Sequence, residues 1–322
     1  MFIDELSIVV RSGAGGRGCE SYFRRADHKK VPNGGDGGDG GDVVLKADPR
    51  MGNLFSLRSR RVFEAERGGF GIGHNRYGRA GKDCVISIPC GTTVYNKQEN
   101  LLIRDLVQAG EEVVVLKGGM GGYGNHSGRP ATRGEAAKEL ELLLSFKIIA
   151  DIFLVGLPNS GKTALLKRLT NARVSATDYP FATKSPQLGT YQTDFGQFVL
   201  CELPSIYEAS ESGRGLGTRF LKHLERARLI FFMLDPKTEF ASDLRGGYDM
   251  LLKTMEHFNP EFMRIPRFLI VNKTDLVTKK GVAKKVFPAS EQVYFISTLN
   301  ETGLDHLMND AESLLGVSCG RC

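Results

Sequence analysis

The sequence has no tryptophan and no apolar run that approaches the roughly 20 residues needed by a membrane-spanning helix. It also lacks a strong excess of either charge, since 43 Lys+Arg and 37 Asp+Glu leave a formal net charge of +6 over 322 residues. This modest value permits an anionic partner such as RNA without demanding one. The chain begins with MFIDELSIVVRSG, which alternates like a strand and lacks the basic region and apolar stretch of a signal peptide. Asp4 and Glu5 come too early for an organellar presequence. We therefore predict a cytoplasmic protein with no membrane span, long enough for about two domains.

Cysteine is also scarce, and its six copies are Cys19, Cys84, Cys90, Cys201, Cys319 and Cys322. Most stand singly in apolar or glycine-rich surroundings, which is typical of small core residues in a reducing compartment. Cys319-Gly-Arg-Cys322 has the spacing of a redox or metal motif, but no second pair of ligands lies nearby in the sequence. We favour a frayed tail over such a site.

Only the first part of the chain is rich in glycine. Most of the 39 glycines lie before residue 135, in SGAGGRG, NGGDGGDGGD, RGGFGIG and KGGMGGYGN, whereas strands and helices alternate after residue 148. We place a domain boundary there, which gives a glycine-rich domain at 1–148 and a second domain at 149–322. The boundary falls in an apolar segment, ELELLLSFKIIADIFLVG, so we expect a short, stiff connection rather than a flexible linker.

The glycine-rich part could be a disordered low-complexity chain, but strand-like runs such as LSIVV, DVVLKA and EEVVVLK interrupt it, and each must bury an apolar face. NGGDGGDGGD repeats every three residues, which is the period of polyproline II. We predict a small β-structure from which packed polyproline II segments project. Asp36, Asp39 and Asp42 would line one edge and face solvent. A calcium-binding repeat is the less favoured alternative, because the spacing fits no EF-hand loop.

Basic residues in this part lie in groups among aromatic ones. The basic residues are Arg24, Arg25, Lys29, Lys30, Arg58, Arg60, Arg61, Arg76 and Arg79, and the aromatic ones are Tyr22, Phe23, Phe55, Phe70 and Tyr77. Arginine together with aromatic side chains suits RNA, through phosphate pairing and base stacking. From the residues alone, a solvated surface over ordinary core aromatics explains the pattern equally well.

The second domain opens with an apolar strand, IADIFLV, followed by a phosphate-binding motif and a helix, ALLKRLT. The motif G-x-x-x-x-G-K-[ST] consists of Gly156, Leu157, Pro158, Asn159, Ser160, Gly161, Lys162 and Thr163. In this setting the backbone N–H groups wrap a β-phosphate, Lys162 bridges the β- and γ-phosphates, and the Thr163 hydroxyl is a ligand of Mg²⁺. We predict that these residues bind a nucleotide.

A second motif identifies the base as guanine. The buried strand RFLIV runs into Asn272, Lys273, Thr274 and Asp275. The Asp275 carboxylate can accept hydrogen bonds from both N1–H and the 2-amino group of guanine, a donor pair that adenine lacks. Asn272 would tie this loop to the phosphate loop, and the Lys273 stem would cover the base. After the strand VYFIS, backbone contacts to the guanine oxygen would come from Ser297, Thr298 and Leu299.

A first switch is predicted in DYPFATKSP. Thr183 lies twenty residues after Thr163, where its hydroxyl would complete the Mg²⁺ shell when a γ-phosphate is present. We assign five consecutive residues to the nucleotide site: Phe181, Ala182, Thr183, Lys184 and Ser185. Lys162, Thr183 and Glu202 are the candidate catalytic residues, and Thr163 and Thr183 are the candidate metal ligands.

Together these motifs resemble the Obg family of GTPases over essentially the whole chain. The glycine-rich part matches through MFIDELSIVVRSGAGGRG, NGGDGGDGGDVV, IPCGTTVY and KGGMGGYGN, and the second part through GLPNSGKT, DYPFATKSPQLGT, GRGLGTRFLKHLERAR and NKTD. The resemblance implies a multi-domain protein, in which a glycine-rich Obg fold is followed by an α/β P-loop GTPase domain, in a minimal two-domain form. It also implies GTP and GDP as ligands, Mg²⁺ as the cofactor, and the large ribosomal subunit with its rRNA as the partner. We expect the protein to be a monomer.

The second switch departs from the family pattern Asp-x-Pro-Gly-Leu. Here the residues are Glu202, Leu203, Pro204, Ser205 and Ile206. The family aspartate holds Mg²⁺ through a water, and Glu202 would move that charge by up to about 1.5 Å, one carbon–carbon bond. The family glycine donates its N–H to the γ-phosphate, and the Ser205 side chain restricts the rotation that makes this contact. Ile206 matches the apolar family residue and cannot orient an attacking water, so turnover should be slow without a partner or a cation.

Asn159 suggests K⁺ as that cation, because an asparagine at this place helps to ligate K⁺ in related GTPases. The alternative is that Asn159 only braces the loop. Two hypotheses on function stay open. One is a slow GTPase that binds the large ribosomal subunit in its GTP state and leaves after hydrolysis. The other is a nucleotide-dependent ribosome- or RNA-binding module whose turnover is negligible because of Glu202 and Ser205. Asp275 argues against an ATP-using enzyme.

Overall fold

The structure is a computed structural model that describes residues 2–170, 183–193, 196–206, 218–237, 241–276, 286–289 and 291–316. It divides after Lys147 into two compact units. None of the helices in these ranges combines the length and the apolar character that crossing a bilayer requires.

The first unit is built mainly from strands. In the described residues these are β1 (Glu5–Arg11), β2 (Tyr22–Arg24), β3 (Lys30–Pro32), β4 (Val43–Asp48), β5 (Val62–Glu64), β6 (Cys84–Pro89), β7 (Thr92–Asn96), β8 (Leu101–Leu106), β9 (Glu112–Leu116) and β10 (Glu139–Phe146), with 3-10 turns at Phe55–Leu57 and Asn125–Ser127. They form a five-stranded sheet in the order β5-β1-β10-β7-β8, a three-stranded sheet β6-β4-β9 and a hairpin β2-β3.

Alternating apolar residues build the core of the five-stranded sheet. Ile8 and Val10 of β1 are fully buried, while Val9 between them is partly exposed. Ile8 pairs with Leu142 of the antiparallel strand β10, and Leu142 is also fully buried. This is the period of two that a strand with one buried face requires.

Six glycine-rich segments pack side by side in the same unit. They comprise residues 12–19, 34–42, 65–72, 76–83, 117–124 and 132–138, which adjoin β1, β4, β5, β6, β9 and β10 respectively. Hydrogen bonds connect one segment to another: Gly16 N–H donates to Gly38 O at 2.8 Å, and Gly38 N–H donates to Gly69 O at 2.9 Å. Polyproline II has no hydrogen bonds of its own, so packed segments must satisfy one another in this way. The predicted glycine-rich fold is thereby confirmed.

Contact between segments is backbone to backbone, which explains the glycines. A Cβ added to Gly37 would lie 2.0 Å from Gly16 O, and one added to Gly40 would lie 2.0 Å from Gly13 O. Four of the six segments carry the glycine runs noted in the sequence. The segments at 76–83 and 132–138 were not predicted, because their glycines stand apart.

The aspartates of the repeat lie at an edge, where Asp39 is exposed and Asp36 and Asp42 are half-buried, and they also bond to a neighbouring segment, which the sequence did not predict. Each carboxylate accepts a glycine N–H, from Gly124 to Asp36 at 2.6 Å, from Gly121 to Asp39 at 2.7 Å and from Gly118 to Asp42 at 2.7 Å. Backbone donors in a packed interior need acceptors, and the segment at 117–124 finds them in these side chains.

The second unit has a central six-stranded sheet with helices. Its described elements are β11 (Ile152–Gly156), α1 (Lys162–Leu169), β12 (Gln187–Thr193), β13 (Gly196–Glu202), β14 (Leu229–Leu234), α2 (Leu244–Phe258), β15 (Arg267–Val271), β16 (Gln292–Phe295) and α3 (Leu304–Leu315), with 3-10 segments at Thr218–Arg226, Pro260–Arg264 and Thr274–Leu276. The strand order is β12-β13-β11-β14-β15-β16. All neighbours pair in parallel except β12, which is antiparallel to β13.

The strand β14, at the centre of the sheet, has the composition expected of a parallel strand that helices cover on both faces. Every residue of its sequence LIFFML is buried, as expected for a strand with helices on both faces. Phe231 of β14 shares one apolar cluster with Leu165 of α1 and Leu307 of α3. The α/β fold predicted for this part is confirmed.

We predict that Gly37→Ala will destabilise the first unit by about 3 kcal/mol or more, because its new methyl group would meet a backbone oxygen that neighbouring segments hold in place. Hydrogen–deuterium exchange of the full chain should show lost protection in peptides from the glycine-rich segments. Gly52→Ala is the matched control, since a Cβ there has nothing within 4 Å. Equal exchange in the two variants would contradict the steric explanation.

Candidate functional site

Except for the first switch, which precedes β12, the predicted motifs of the second unit follow the carboxyl ends of parallel strands. The phosphate loop follows β11, the second switch begins at the end of β13, and the base-binding loop follows β15. Neighbouring parallel strands end at the same edge of a sheet, where ligands of open α/β sheets bind. The strand order therefore brings these separate motifs together.

Close packing shapes the phosphate loop. Gly161 has φ +91°, in the left-handed region that favours glycine, and α1 begins at the next residue, Lys162. Ser160 is buried, and its hydroxyl donates to Leu157 O at 2.9 Å. A Cβ on Gly156 would lie 2.4 Å from Met233 O of the adjacent strand. The turn thus places the first N–H groups of α1 at the edge of the sheet.

Lys162 is buried in this loop and has three acceptors around its amine. Nζ donates to Gly156 O at 3.1 Å, to Leu157 O at 2.9 Å and to Ser205 Oγ at 2.8 Å. Burial lowers the pKa of Lys162 to about 8, against the opposing effect of the Glu202 charge. The bond to Ser205 joins the phosphate loop to the second switch, and a glycine at position 205 could not make it.

Glu202 lies at the end of β13, where its carboxylate meets two hydroxyl groups. Thr163 Oγ1 donates to Glu202 Oε1 at 2.6 Å, and Thr183 Oγ1 donates to the same oxygen at 3.1 Å. The two hydroxyl oxygens are 3.3 Å apart. Burial raises the pKa of the Glu202 carboxyl, opposed by the Thr163 hydrogen bond, the Lys162 charge and the Thr183 hydrogen bond. The other oxygen, Oε2, is buried without a hydrogen-bond partner among the described residues.

The rest of the second switch is fixed to the central strand β11. Leu203 and Pro204 are buried, and Leu203 N–H donates to Leu154 O at 3.1 Å. Ile206 is fully buried, and its N–H donates to Gly156 O at 3.2 Å. The apolar side chain of Ile206 therefore packs inside the unit.

Asn272 connects the base-binding loop to the phosphate loop, as its motif predicted. Its Nδ2 donates to Ser160 O at 3.0 Å, and its Oδ1 accepts from Thr298 N–H at 3.1 Å. The residue is fully buried, and a Cβ on Gly161 would lie 2.1 Å from Asn272 Nδ2. One amide side chain thus positions three loops.

The remaining residues of this loop have contacts that the motif did not specify. Lys273 Nζ forms an ion pair with Asp235 Oδ2 at 2.7 Å. Asp235 was missed in the sequence, although it directly follows the buried strand β14 and so lies at the same edge. Asp275 is exposed, and its Oδ1 accepts from the Ser297 hydroxyl. Thr274 Oγ1 donates to Ile296 O at 3.0 Å.

Other predicted residues lie at the margin of the cluster or beyond the described ranges. Pro158 is buried, whereas Asn159 is exposed with φ +62°. Leu299 is 77% exposed. Lys184 is exposed, and Ser185 accepts hydrogen bonds from the Gln187 side chain. Four residues named in the sequence analysis fall outside the described residues: Phe181, Ala182, Cys319 and Cys322.

Comparison with known proteins assigns both units to families. The GTP1/OBG family model matches residues 3–147, and the model described as 50S ribosome-binding GTPase matches residues 151–273. GTPase Obg of Chlorobaculum tepidum is 41% identical over 319 residues, which cover 96% of this chain and 94% of that protein. The chain belongs to the Obg family of GTPases.

Other members of the Obg family show similar agreement. GTPase Obg of Persephonella marina is 36% identical, and the alignment covers 95% of this chain and 94% of that protein. GTPase Obg of Phocaeicola vulgatus is 39% identical, and the alignment covers 95% of this chain and 80% of that protein. The predicted resemblance is confirmed, and the chain is a guanine-nucleotide-binding protein and a GTPase. GTPases generally use Mg²⁺.

The Obg-family unit at 1–147 also presents a basic and aromatic surface where its glycine-rich segments end. We call its three loops, residues 20–33, 70–77 and 123–133, the distal loops. Asn125 joins the third loop to the first, because its Oδ1 accepts from Gly34 N–H at 2.8 Å and from Ser21 N–H at 3.3 Å. Asn75 N–H of the second loop donates to Asn33 O of the first at 2.7 Å. Exposed aromatic side chains in these loops are Tyr22, Phe23, Phe70, Tyr77 and Tyr123. Exposed basic residues there are Arg24, Arg25, Lys29, Lys30, Arg76, Arg129 and Arg133.

The structure separates some residues that the sequence had grouped. Phe55 lies beside Leu54, whose N–H donates to Ile3 O, and Arg61 O accepts from Val9 N–H of β1. These residues, with Arg58 and Arg60, belong to the sheet end of the unit. In contrast, Tyr123 joins the distal loops although its sequence, KGGMGGYGN, suggested only a glycine-rich segment.

We predict that GDP binding will weaken as the pH rises above about 8, where the buried Lys162 amine loses its proton. Below this pH the ammonium attracts phosphate. Above it, binding must take up a proton, and each pH unit should cost up to about tenfold in affinity. Calorimetry without metal, in buffers of different ionisation enthalpy, should show this proton uptake.

The titration should begin well above the phosphate ionisation near pH 6 and end below the ionisation of guanine N1–H, so that the GDP charge stays constant. Lys162→Arg is the control, because a guanidinium keeps its proton throughout. A wild-type affinity that did not change across this range would contradict the assignment.

Proposed function

We propose that this chain is a slow, Mg²⁺-dependent GTPase that binds the large ribosomal subunit in its GTP state. The observation that carries the nucleotide part is the hydrogen bond from Asn272 Nδ2 to Ser160 O, which joins the base-binding loop to the phosphate loop. The two loops are more than 100 residues apart in the sequence, yet they share one edge of the sheet. That arrangement suits a ligand with a base at one end and phosphates at the other.

Guanine selection is assigned to Asp275. Its exposed carboxylate is held at Oδ1 by the Ser297 hydroxyl, which would leave the remaining lone pairs for N1–H and the 2-amino group of the base. The Lys273 stem, fixed by its ion pair with Asp235, would lie over the base. Backbone groups of Thr298 and Leu299 would contact the guanine oxygen.

The oxygens of the phosphate-binding motif and of the two switches fit a magnesium ion. Mg²⁺ prefers oxygen ligands, and the oxygens of Thr163, Thr183 and Glu202 already converge. Glu202 Oε2, which is buried and has no hydrogen-bond partner among the residues that the structure describes, would also be stabilised by a cation. When bound, the ion would neutralise phosphate charge beside Lys162.

We expect slow turnover because the residue at the position that could orient the attacking water is apolar. Ile206 is buried and offers no polar group to orient an attacking water. An added cation or the ribosome would have to supply this function. Asn159, exposed in the phosphate loop, is the candidate ligand for K⁺.

The large-subunit assignment rests on the family model and on the distal loops. Exposed arginine and lysine side chains would pair with phosphates, and the five exposed aromatic rings would stack on unpaired bases. Tyr77 is 65% exposed, and its ring lies nearly perpendicular to that of His126 with the centroids 6.2 Å apart, so it is partly pre-oriented. This face would contact rRNA.

A second candidate function follows from the hydrogen bond between Lys162 Nζ and Ser205 Oγ. If this bond persists with GTP bound, the lysine is diverted from the γ-phosphate and hydrolysis becomes negligible. The protein would then be a nucleotide-dependent ribosome-binding module.

We predict that Asp275→Asn will lower GTP affinity by about a hundredfold or more, because an amide presents a donor to the donors of guanine. The same variant should gain affinity for xanthosine triphosphate, whose 2-carbonyl accepts a hydrogen bond. Competition with a fluorescent nucleotide measures both. Asp243→Asn, at the N-cap of α2, is the matched control and should leave GTP binding unchanged. Retained preference for GTP in Asp275→Asn would refute the assignment.

Phosphate release from GTP distinguishes the two functions. With purified large subunits and K⁺, we expect release well above the background of Lys162→Ala, which lacks the charge beside the phosphates. Release no higher than this background would exclude the GTPase function and favour the binding module. The double variant Glu202→Asp, Ser205→Gly should turn over faster if the altered switch limits the rate.

Co-sedimentation with large subunits tests the partner separately. We expect more protein in the pellet with a non-hydrolysable GTP analogue than with GDP. Equal amounts in both would mean that ribosome binding does not depend on the γ-phosphate.

A further inference from the structure

We propose that the Ser205 hydroxyl recognises the γ-phosphate of GTP, to which it donates a hydrogen bond while it accepts one from Lys162. This inference rests on the proposed function, because it concerns the same nucleotide site. It adds a side chain of the second switch to the groups that distinguish GTP from GDP.

The amine of Lys162 is fully engaged by protein acceptors. Its Nζ donates to Gly156 O at 3.1 Å, to Leu157 O at 2.9 Å and to Ser205 Oγ at 2.8 Å. A lysine ammonium has three N–H donors and no acceptor, so these three bonds use all of its donors. Lys162 is 4% exposed, which leaves the amine little room to turn away from these partners.

Of these three acceptors, the Ser205 hydroxyl is the one that can also donate a hydrogen bond. A carbonyl oxygen accepts and cannot donate, whereas a hydroxyl does both. Ser205 Oγ accepts from Lys162, and its hydrogen has no acceptor among the residues that the structure describes. A hydroxyl that accepts from an ammonium becomes a stronger donor, because hydrogen bonds in series polarise one another. This donor therefore suits an anionic ligand such as a phosphate.

The backbone on both sides of Ser205 is fixed. Leu203 N–H donates to Leu154 O at 3.1 Å, and Ile206 N–H donates to Gly156 O at 3.2 Å. Ile206 is also fully buried. The hydroxyl is thus held next to the phosphate loop before a nucleotide binds, so that little conformational entropy is lost on binding.

The position of Ser205 favours the γ-phosphate over the β-phosphate. In a P-loop protein the backbone N–H groups of the loop and of the following helix surround the β-phosphate, and the lysine reaches from there to the γ-phosphate. Ser205 belongs to the second switch rather than to the phosphate loop, and it contacts Lys162 at the amine. A donor at this end of the lysine would meet the terminal phosphate, which GDP lacks.

The test compares two nucleotides in the full chain. Calorimetry with excess Mg²⁺ measures the affinities for GDP and for guanosine imidotriphosphate, and their ratio isolates the contribution of the γ-phosphate. We expect Ser205→Ala to lose about tenfold or more in affinity for the imidotriphosphate, because a hydrogen bond to a charged group is lost, and much less in affinity for GDP. Ser205→Cys should behave in the same way, because a thiol is a weak donor.

Ser313→Ala is the matched control, since it removes an exposed hydroxyl that donates to Asn309 O within α3. It should keep the wild-type ratio of the two affinities. Thermal unfolding checks that each variant is folded. Ser205→Cys, which replaces one oxygen by sulfur, decides the question if Ser205→Ala does not fold.

Two other results would overturn the proposal. Equal losses for both nucleotides would mean that Ser205 only positions Lys162. A gain in affinity for the imidotriphosphate would mean that Ser205 diverts this lysine from the γ-phosphate.

The wild-type affinities separate these results from the proposed function. If the wild type bound neither nucleotide, both the nucleotide site and the role of Ser205 would be wrong. If it bound both and the ratio stayed unchanged in Ser205→Ala, the role of Ser205 alone would be wrong.

Discussion

Buried backbone N–H and C=O groups need partners, and this constraint governs both units in different ways. In the second unit the parallel strands satisfy one another, which leaves their carboxyl ends free to present loops. In the first unit the glycine-rich segments have no partners within themselves. They are satisfied by other segments, as between Gly16 and Gly38, and by side chains such as that of Asp39. Such close approach of backbones is possible only where side chains are absent.

The candidate site follows from the same constraint in the parallel sheet. Because β11, β13, β14 and β15 are neighbours, residues far apart in the sequence end at one edge. Asn272 then fixes the distance between the phosphate loop and the base-binding loop. Glu202 and Ser205 contact Thr163 and Lys162, so the altered second switch stays connected to the phosphate loop through different bonds.

The sequence was most informative where chemistry restricts both residue type and spacing. The phosphate loop could be predicted because it needs glycines, a lysine and a hydroxyl in a fixed order between a strand and a helix. The ion pair between Asp235 and Lys273 could not, since it depends on which strands become neighbours. The same holds for Lys162 and Ser205, whose contact arises from tertiary packing.

The aspartates of the repeat show a second limit. Polar residues at a regular spacing suggest a solvated edge, but Asp36, Asp39 and Asp42 also accept backbone donors from residues more than 75 positions away. Only the packing of the neighbouring segment at 117–124 shows that its backbone N–H groups need these carboxylates as acceptors. The individual roles of the nucleotide-site residues remain predictions, while the membership in the Obg family and the two folds are established.

The period of three in the glycine-rich segments also limits how their length can change. Contacts recur every third residue, so inserting one or two residues into a segment would put side chains where glycines meet backbone. A change of three residues keeps the pattern, but the bonded neighbours would need the same change to keep their partners. The distance from the sheets to the distal loops can therefore vary only in steps, and only when several segments change together. The packed glycine-rich segments therefore hold the distal loops at a fixed distance from the sheets.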